Sequence, residues 1–176
     1  METIQQKICL LGDFGVGKTS LVRRFVSGIF DDKYLSTVGV NISRKAVTLN
    51  TNAKVVTFNF MLWDLNGGAK FDKMFTSYCG GASGALIVCD LGRAETFDKL
   101  SYYAEGFKQI RPAAPLIIVG NKNDLPSAEW RVNPATLSTL AQKYSAASFL
   151  TSAKTGAIVN EMFDHLAHLL LTMRVQ

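Results

Sequence analysis

At 176 residues and 48% apolar content, the chain has the size of one domain and the composition of a packed globular protein, which excludes a disordered chain. Its longest apolar runs, Ala85 to Cys89 and Leu116 to Val119, suit buried strands and fall far short of the roughly 18 residues a membrane span needs. The net charge of +5 is spread as 8 basic against 4 acidic residues in 1–60, 6 against 6 in 61–120 and 5 against 4 thereafter, with no stripe of clustered basic and aromatic residues for nucleic acid.

Taken in chain order, Lys7 to Gly12 reads as a short buried strand, followed by a glycine-rich loop and a helix over Ser20 to Gly28 with Leu21, Val22 and Phe25 at helical spacing. Residues 29–39 carry neither period. Val40 to Leu49 and Lys54 to Trp63 predict two strands around the turn-rich Asn50-Thr51-Asn52, an antiparallel hairpin. Ala85 to Asp90 is the next buried strand, then a helix from about Ala94 to Ile110, then a strand over Pro115 to Asn121. Pro134 suits the first turn of a helix reaching Ala146. Ser148 to Thr151 is a short strand, and from near Gly156 a last helix carries the stripe Val159, Met162, Phe163, Leu166, Leu169, Leu170 and Met173. This alternation predicts one α/β domain over residues 1–176.

Three motifs carry chemistry. Gly12-Asp13-Phe14-Gly15-Val16-Gly17-Lys18-Thr19 has the phosphate-loop spacing, set between a strand and a helix as the mechanism requires. There the backbone from Asp13 to Ser20 wraps a polyphosphate, Lys18 bridges the outer phosphates, and the Thr19 hydroxyl takes Mg²⁺. Asp64-Leu65-Asn66-Gly67 closes a buried strand, where a carboxylate acting on the metal through water and a glycine approaching the γ-phosphate would lie. Asn121-Lys122-Asn123-Asp124 emerges at the carboxyl end of a strand, where open α/β sheets bind ligands. Asp124 can accept from guanine N1–H and the exocyclic amine, whereas adenine offers acceptors at that edge and is rejected. Ser152-Ala153-Lys154 would add a backbone N–H to the guanine carbonyl and a lysine stem over the ring.

These motifs, in this order, resemble the Ras superfamily of small GTPases over essentially the whole chain, closest to the Rab branch. Trp63-Asp64-Leu65-Asn66-Gly67-Gly68 is similar to the Rab strand end and switch II, Gly80-Gly81-Ala82-Ser83-Gly84-Ala85 to the following helix-to-strand turn, and Tyr34-Leu35-Ser36-Thr37-Val38-Gly39 to switch I. The resemblance implies a P-loop NTPase fold, a six-stranded mixed sheet with about five flanking helices, binding GTP or GDP with Mg²⁺. It further implies that Phe30 packs edge-on against the base, that Tyr34 is among the nucleotide-binding residues, and that Thr37 closes on Mg²⁺ and the γ-phosphate in the GTP state. Effectors would read switch I and switch II, and an exchange factor and a GTPase-activating protein would act on the cycle.

Two departures touch catalysis, for which the resemblance nominates Lys18, Thr37, Gly67 and Gly68. The family's water-orienting glutamine falls on Gly68, which has no side chain, leaving Asn66, Lys70 or a partner's group for that work. The loop position usually small enough to admit an arginine finger is Phe14, and residues 29–39 offer only Lys33 as a basic group. Slow hydrolysis is the expectation, since positioning and charge stabilisation carry phosphoryl transfer. Consecutive glycines would also loosen switch II.

Other residues are discounted. Cys9, Cys79 and Cys89 are too irregularly spaced for a disulfide framework or zinc site and suit a reducing cytosol. His165 and His168 share a helix face without a third ligand, and Arg23-Arg24 and Arg44-Lys45 read as solvated faces. Trp130 suits either a partner anchor or the cover of a core edge. The start carries no export signal or myristoylation glycine and the end no prenylation cysteine, so a cytoplasmic protein without its own lipid anchor is expected. Two functions follow: a Mg²⁺-GTP-gated switch that hydrolyses slowly, or a binding module holding GTP as a structural ligand. An ATP-dependent enzyme is disfavoured by Asp124.

Overall fold

The computed structural model of the chain describes residues 2–33, 37, 39–51, 55–65 and 74–175. Strands β1 (Glu2–Gly12), β2 (Val40–Asn50), β3 (Val55–Leu65), β4 (Gly84–Asp90), β5 (Leu116–Asn121) and β6 (Ala147–Thr151) form one sheet in the order β2-β3-β1-β4-β5-β6. Only β2 and β3 pair antiparallel, with Val40 opposite Leu65 and Asn50 opposite Val55. The helices are α1 (Lys18–Ser27), α2 (Phe75–Cys79), α3 (Ala94–Asp98), α4 (Leu100–Ile110), α5 (Pro134–Lys143) and α6 (Val159–Val175), with a short 3₁₀ turn at Ser127–Glu129. The expected mixed sheet and the hairpin are both present.

Burial explains the layering. β4 and β5 are buried at every position, as strands covered on both faces must be. One core lies under α1 and α6, where the Phe25 and Phe163 rings stack with centroids 3.8 Å apart. The other lies under α2, α4 and α5 and is built on Leu100, Tyr103, Phe107 and Leu137. The chain turns from β1 toward β3 on one side and β4 on the other, which opens a crevice beyond the strands' carboxyl ends.

Several boundaries differ from the sequence reading. β1 begins at Glu2, because its first residues pair in parallel with β3 from Val56 onward. Thr3 and Gln5 there face solvent, so no apolar run announces that half. The helix expected over 94–110 is two, α3 and α4, parted at Lys99. Its apolar spacing through Phe97, Leu100, Tyr103, Ala104 and Phe107 continues across the break, which hides it from periodicity. Ser145 and Ile158 take left-handed backbone, φ 51° and 61°, and so α5 stops at Lys143 and α6 starts only at Val159.

Candidate functional site

The phosphate loop begins where β1 and β4 come closest. Gly12 has φ +144°, and a Cβ there would stand 2.2 Å from the Val88 carbonyl oxygen, so the approach requires glycine. Gly17 has φ +102° and would drive a Cβ to 2.3 Å from Asn121 Nδ2. With Gly17 at its head, α1 has no side-chain cap, leaving first-turn N–H groups to meet an anion. Lys18 opens the helix, is 6% exposed, and donates to the carbonyl oxygens of Gly12 at 2.9 Å and Asp13 at 2.8 Å.

Burial lowers the Lys18 ammonium to about 8, partly offset by the charges of Asp64 and Asp13. A bound polyphosphate restores the charged form and raises that value, so binding near and above pH 8 takes up a proton and affinity falls as pH rises through that range. Calorimetry in buffers of different ionisation enthalpy is expected to show proton uptake in the unaltered protein and none in Lys18→Met.

Thr19 gathers the metal-binding candidates. Its hydroxyl lies 2.7 Å from the Thr37 hydroxyl and donates to Asp64 Oδ2 at 2.5 Å. Asp64, next to last in β3, is 1% exposed, its carboxyl is pushed above the usual range by burial, and its Oδ1 is buried with no hydrogen-bond partner. Two hydroxyls beside a carboxylate oxygen in want of a donor suit a hard cation that keeps some of its waters, as Mg²⁺ does. Among the described residues no group of three His, Cys, Asp or Glu offers another metal site.

The opposite end of the crevice is built around Asn121, 1% exposed at the end of β5. Its Nδ2 donates to the Val16 carbonyl at 2.9 Å, and its Oδ1 accepts from Thr151 Oγ1 at 3.1 Å and the Ala153 N–H at 3.3 Å. One amide thus joins the phosphate loop to the loop that carries Ser152-Ala153-Lys154. Lys122, at φ 71°, bridges to Asp90 at 2.7 Å. Asp124 Oδ1 accepts from Ser152 Oγ at 2.5 Å, which fixes the carboxylate while it stays exposed.

A cavity of about 300 Å³ unites these groups. Phe14, Gly15, Gly17, Lys18, Thr19, Ser20, Phe30, Thr37, Asn121, Lys122, Asp124, Ala153 and Lys154 line it. Asp13, Val16, Asp64 and Ser152 stand behind this wall: Asp13 pairs with Lys99 at 2.7 Å, and Val16 is fully buried. Tyr34, Asn66, Gly67, Gly68 and Lys70 lie outside the described residues.

Sequence reasoning missed four residues here. Asp90, 3% exposed at the end of β4, holds both Lys122 and Arg93, and Arg93 Nη2 donates to the Phe14 carbonyl at 2.8 Å. The place of Asp90 at a carboxyl strand end was the available signal. Arg24 departs from the expected solvated face, donating to three main-chain carbonyls. Arg23 is exposed as expected and also lines the cavity, where its charge acts on Asp64.

Elsewhere, Trp130 covers a core edge and donates to the Leu125 carbonyl at 2.9 Å. His165 packs on the Phe149 ring, and all three cysteines are buried and free. Burial pushes the Cys89 thiol up to about 12, which suits a core residue. Among the described residues no helix is long and apolar enough to cross a membrane.

Residues 7–172 match the Ras family. The chain is 34% identical over 166 residues to "GTP-binding protein ypt5" of Schizosaccharomyces pombe, covering 94% of this chain and 77% of that protein. It is 32% identical to "Ras-related protein Rab-27B" of Bos taurus, covering 94% and 79%, and 35% identical to "Ras-related protein Rab-5A" of Dictyostelium discoideum, covering 93% and 79%. With the phosphate-loop residues and Asp124 lining one cavity, the chain belongs to the Ras family, as a Rab-like GTP-binding switch protein that takes GTP or GDP with Mg²⁺.

Proposed function

We propose that the chain is a nucleotide-gated switch that recruits effectors in its Mg²⁺-GTP state and hydrolyses GTP slowly unless a partner assists. The observation that carries this reading is a single cavity with Lys18 at one end and Asp124 at the other. The loop N–H groups from Asp13 to Ser20 and the Lys18 ammonium bind the phosphates. Asp124, its rotamer set by Ser152, accepts from guanine N1–H and the 2-amino group. Main-chain N–H in the Ser152-Ala153-Lys154 run meets the guanine carbonyl, the Lys154 stem covers one ring face, and Phe30 packs at the ring edge.

Thr19 and Thr37 would hold Mg²⁺ directly, with Asp64 accepting from a metal-bound water. When bound, the ion neutralises charge between the outer phosphates. Thr37 so engaged ties switch I to the nucleotide's far end, and the Gly67 N–H does the same for switch II. That order is what effectors read, and an exchange factor and an activating protein act by disturbing or completing it. The buried thiols support a reducing, cytosolic setting.

Phe14 on the cavity rim, 45% exposed, also supports a second reading in which hydrolysis is negligible and one GTP-bound conformation serves as a binding module. Extraction and chromatography of nucleotide from freshly purified protein tests both. Bound guanine nucleotide, with GTP decaying to GDP over hours, is expected of the switch, and GTP that persists unchanged favours the module. Adenosine triphosphate held as firmly as GTP overturns both.

A further inference from the structure

Arg24 lies in the second turn of α1, on the same helix as Lys18 and Thr19. Its guanidinium is spent on main-chain carbonyls: Nε donates to Ala153 O at 2.8 Å, Nη1 to Gly28 O at 2.7 Å and Nη2 to Lys154 O at 2.5 Å. Gly28 closes α1, its N–H returning to the Arg24 carbonyl at 2.9 Å, and from it run Ile29, Phe30 and Lys33 along the cavity wall. One side chain therefore ties three segments together: the helix behind the phosphate loop, the root of switch I, and the loop at the base end of the cavity.

The bond to Ala153 fixes more than a loop position. Carbonyl and N–H of one trans peptide point in opposite directions. With the Ala153 carbonyl held toward Arg24, the Lys154 N–H of the same peptide points away from that guanidinium, and both residues line the cavity. A guanine carbonyl in the cavity would suit that donor, whereas adenine would set an amine against it. A forked guanidinium reaches three separated carbonyls through different nitrogens, whereas an ammonium must meet all its acceptors at one atom.

We propose that Arg24 is a positioning residue for guanine: by clamping the Ala153 and Lys154 carbonyls against the root of switch I it aims the Lys154 N–H at the base, and so sets nucleotide residence time and guanine-over-adenine selectivity. The inference rests on the guanine-nucleotide reading of the cavity. It differs from a general structural role in what it leaves alone, since the phosphate and metal contacts lie at the other end.

The test compares the full-length protein with Arg24→Met, which keeps the stem, and Arg24→Lys, which keeps the charge. Release of a fluorescent GDP or GTP analogue into excess nucleotide is expected to speed up about tenfold in Arg24→Met, the worth of the one Lys154 N–H hydrogen bond to the base that the variant misaims, and equally for both nucleotides. The GTP-to-ATP affinity ratio is expected to fall by a similar factor, with Arg24→Lys intermediate and the Mg²⁺ concentration for half-maximal retention unchanged. Thermal unfolding of both variants establishes that they fold. Faster release with an unchanged GTP-to-ATP ratio, or no change in either, overturns the positioning role. Unaltered protein that fails to prefer GTP overturns the cavity's reading as well, an outcome visible before any variant is made.

Discussion

Asp124→Asn is expected to lose GTP affinity by a factor of about 10³ to 10⁵, because a polar match becomes a mismatch on the edge that distinguishes guanine. In the unaltered protein the Ser152 hydroxyl donates to Asp124 Oδ1, so the second carboxylate oxygen is the one left for a base. An asparagine keeping its oxygen on Ser152 presents NH₂ there, and two donors then face the guanine N1–H and amine. Xanthine carries a carbonyl where guanine has that amine and can accept from the new NH₂. The variant should therefore gain affinity for xanthosine triphosphate relative to GTP while its phosphate-end requirements stay the same. Competition of GTP, ATP and xanthosine triphosphate against a labelled nucleotide reads the exchange. GTP binding within tenfold of the unaltered protein would show that Asp124 does not select the base.

The groups involved in that prediction were legible in the sequence because each motif is contiguous and sits at a strand's carboxyl end. Gly12 through Thr19 is one loop, and Asn121 through Asp124 is the turn leaving β5. Their juxtaposition followed from alternating strands and helices, since parallel strands bring their carboxyl ends to one edge. The braces were not legible. Arg24 reaches a carbonyl 129 residues away and Arg93 one 79 residues away, and main-chain acceptors leave no residue type in the sequence to look for. An Arg-Arg pair within a helix has the same local pattern whether it is solvated or clamps a distant loop.

Asp90 shows the same limit. Its place at the end of a buried strand was visible, yet the pairing with Arg93 and Lys122 depends on a three-way meeting of loops. The split between α3 and α4 at Lys99 escaped for a different reason. Apolar spacing records which face is buried and is silent about a one-residue interruption that preserves the face.

Single-turnover hydrolysis of Mg²⁺-GTP is expected to run no faster than about 10⁻³ s⁻¹, the order of an unassisted small GTPase, and Gly68→Gln is expected to raise it. The argument is one of position. Attack on the γ-phosphate needs a water held in line and donors for the charge that spreads over its oxygens, and glycine at position 68 has no group to hold the water. An outside arginine, worth about 10³ to 10⁵ in rate, would have to pass Phe14. That ring stands 45% exposed on the cavity rim, and its carbonyl is held by Arg93 Nη2 at 2.8 Å, so the residue's backbone is braced where a small residue would leave room.

Arg23 lines the cavity one helical turn beyond Thr19, but its charge acts on Asp64, on the metal side, rather than from the rim where an arginine finger enters. Phe14→Gly is accordingly expected to leave the unassisted rate nearly unchanged and to matter only with an activating partner, whereas Gly68→Gln acts alone. Turnover on the order of 1 s⁻¹ in the unaltered protein without a partner would mean that Asn66, Lys70 or Arg23 already does the glutamine's work. Substituting those three one at a time would then identify which.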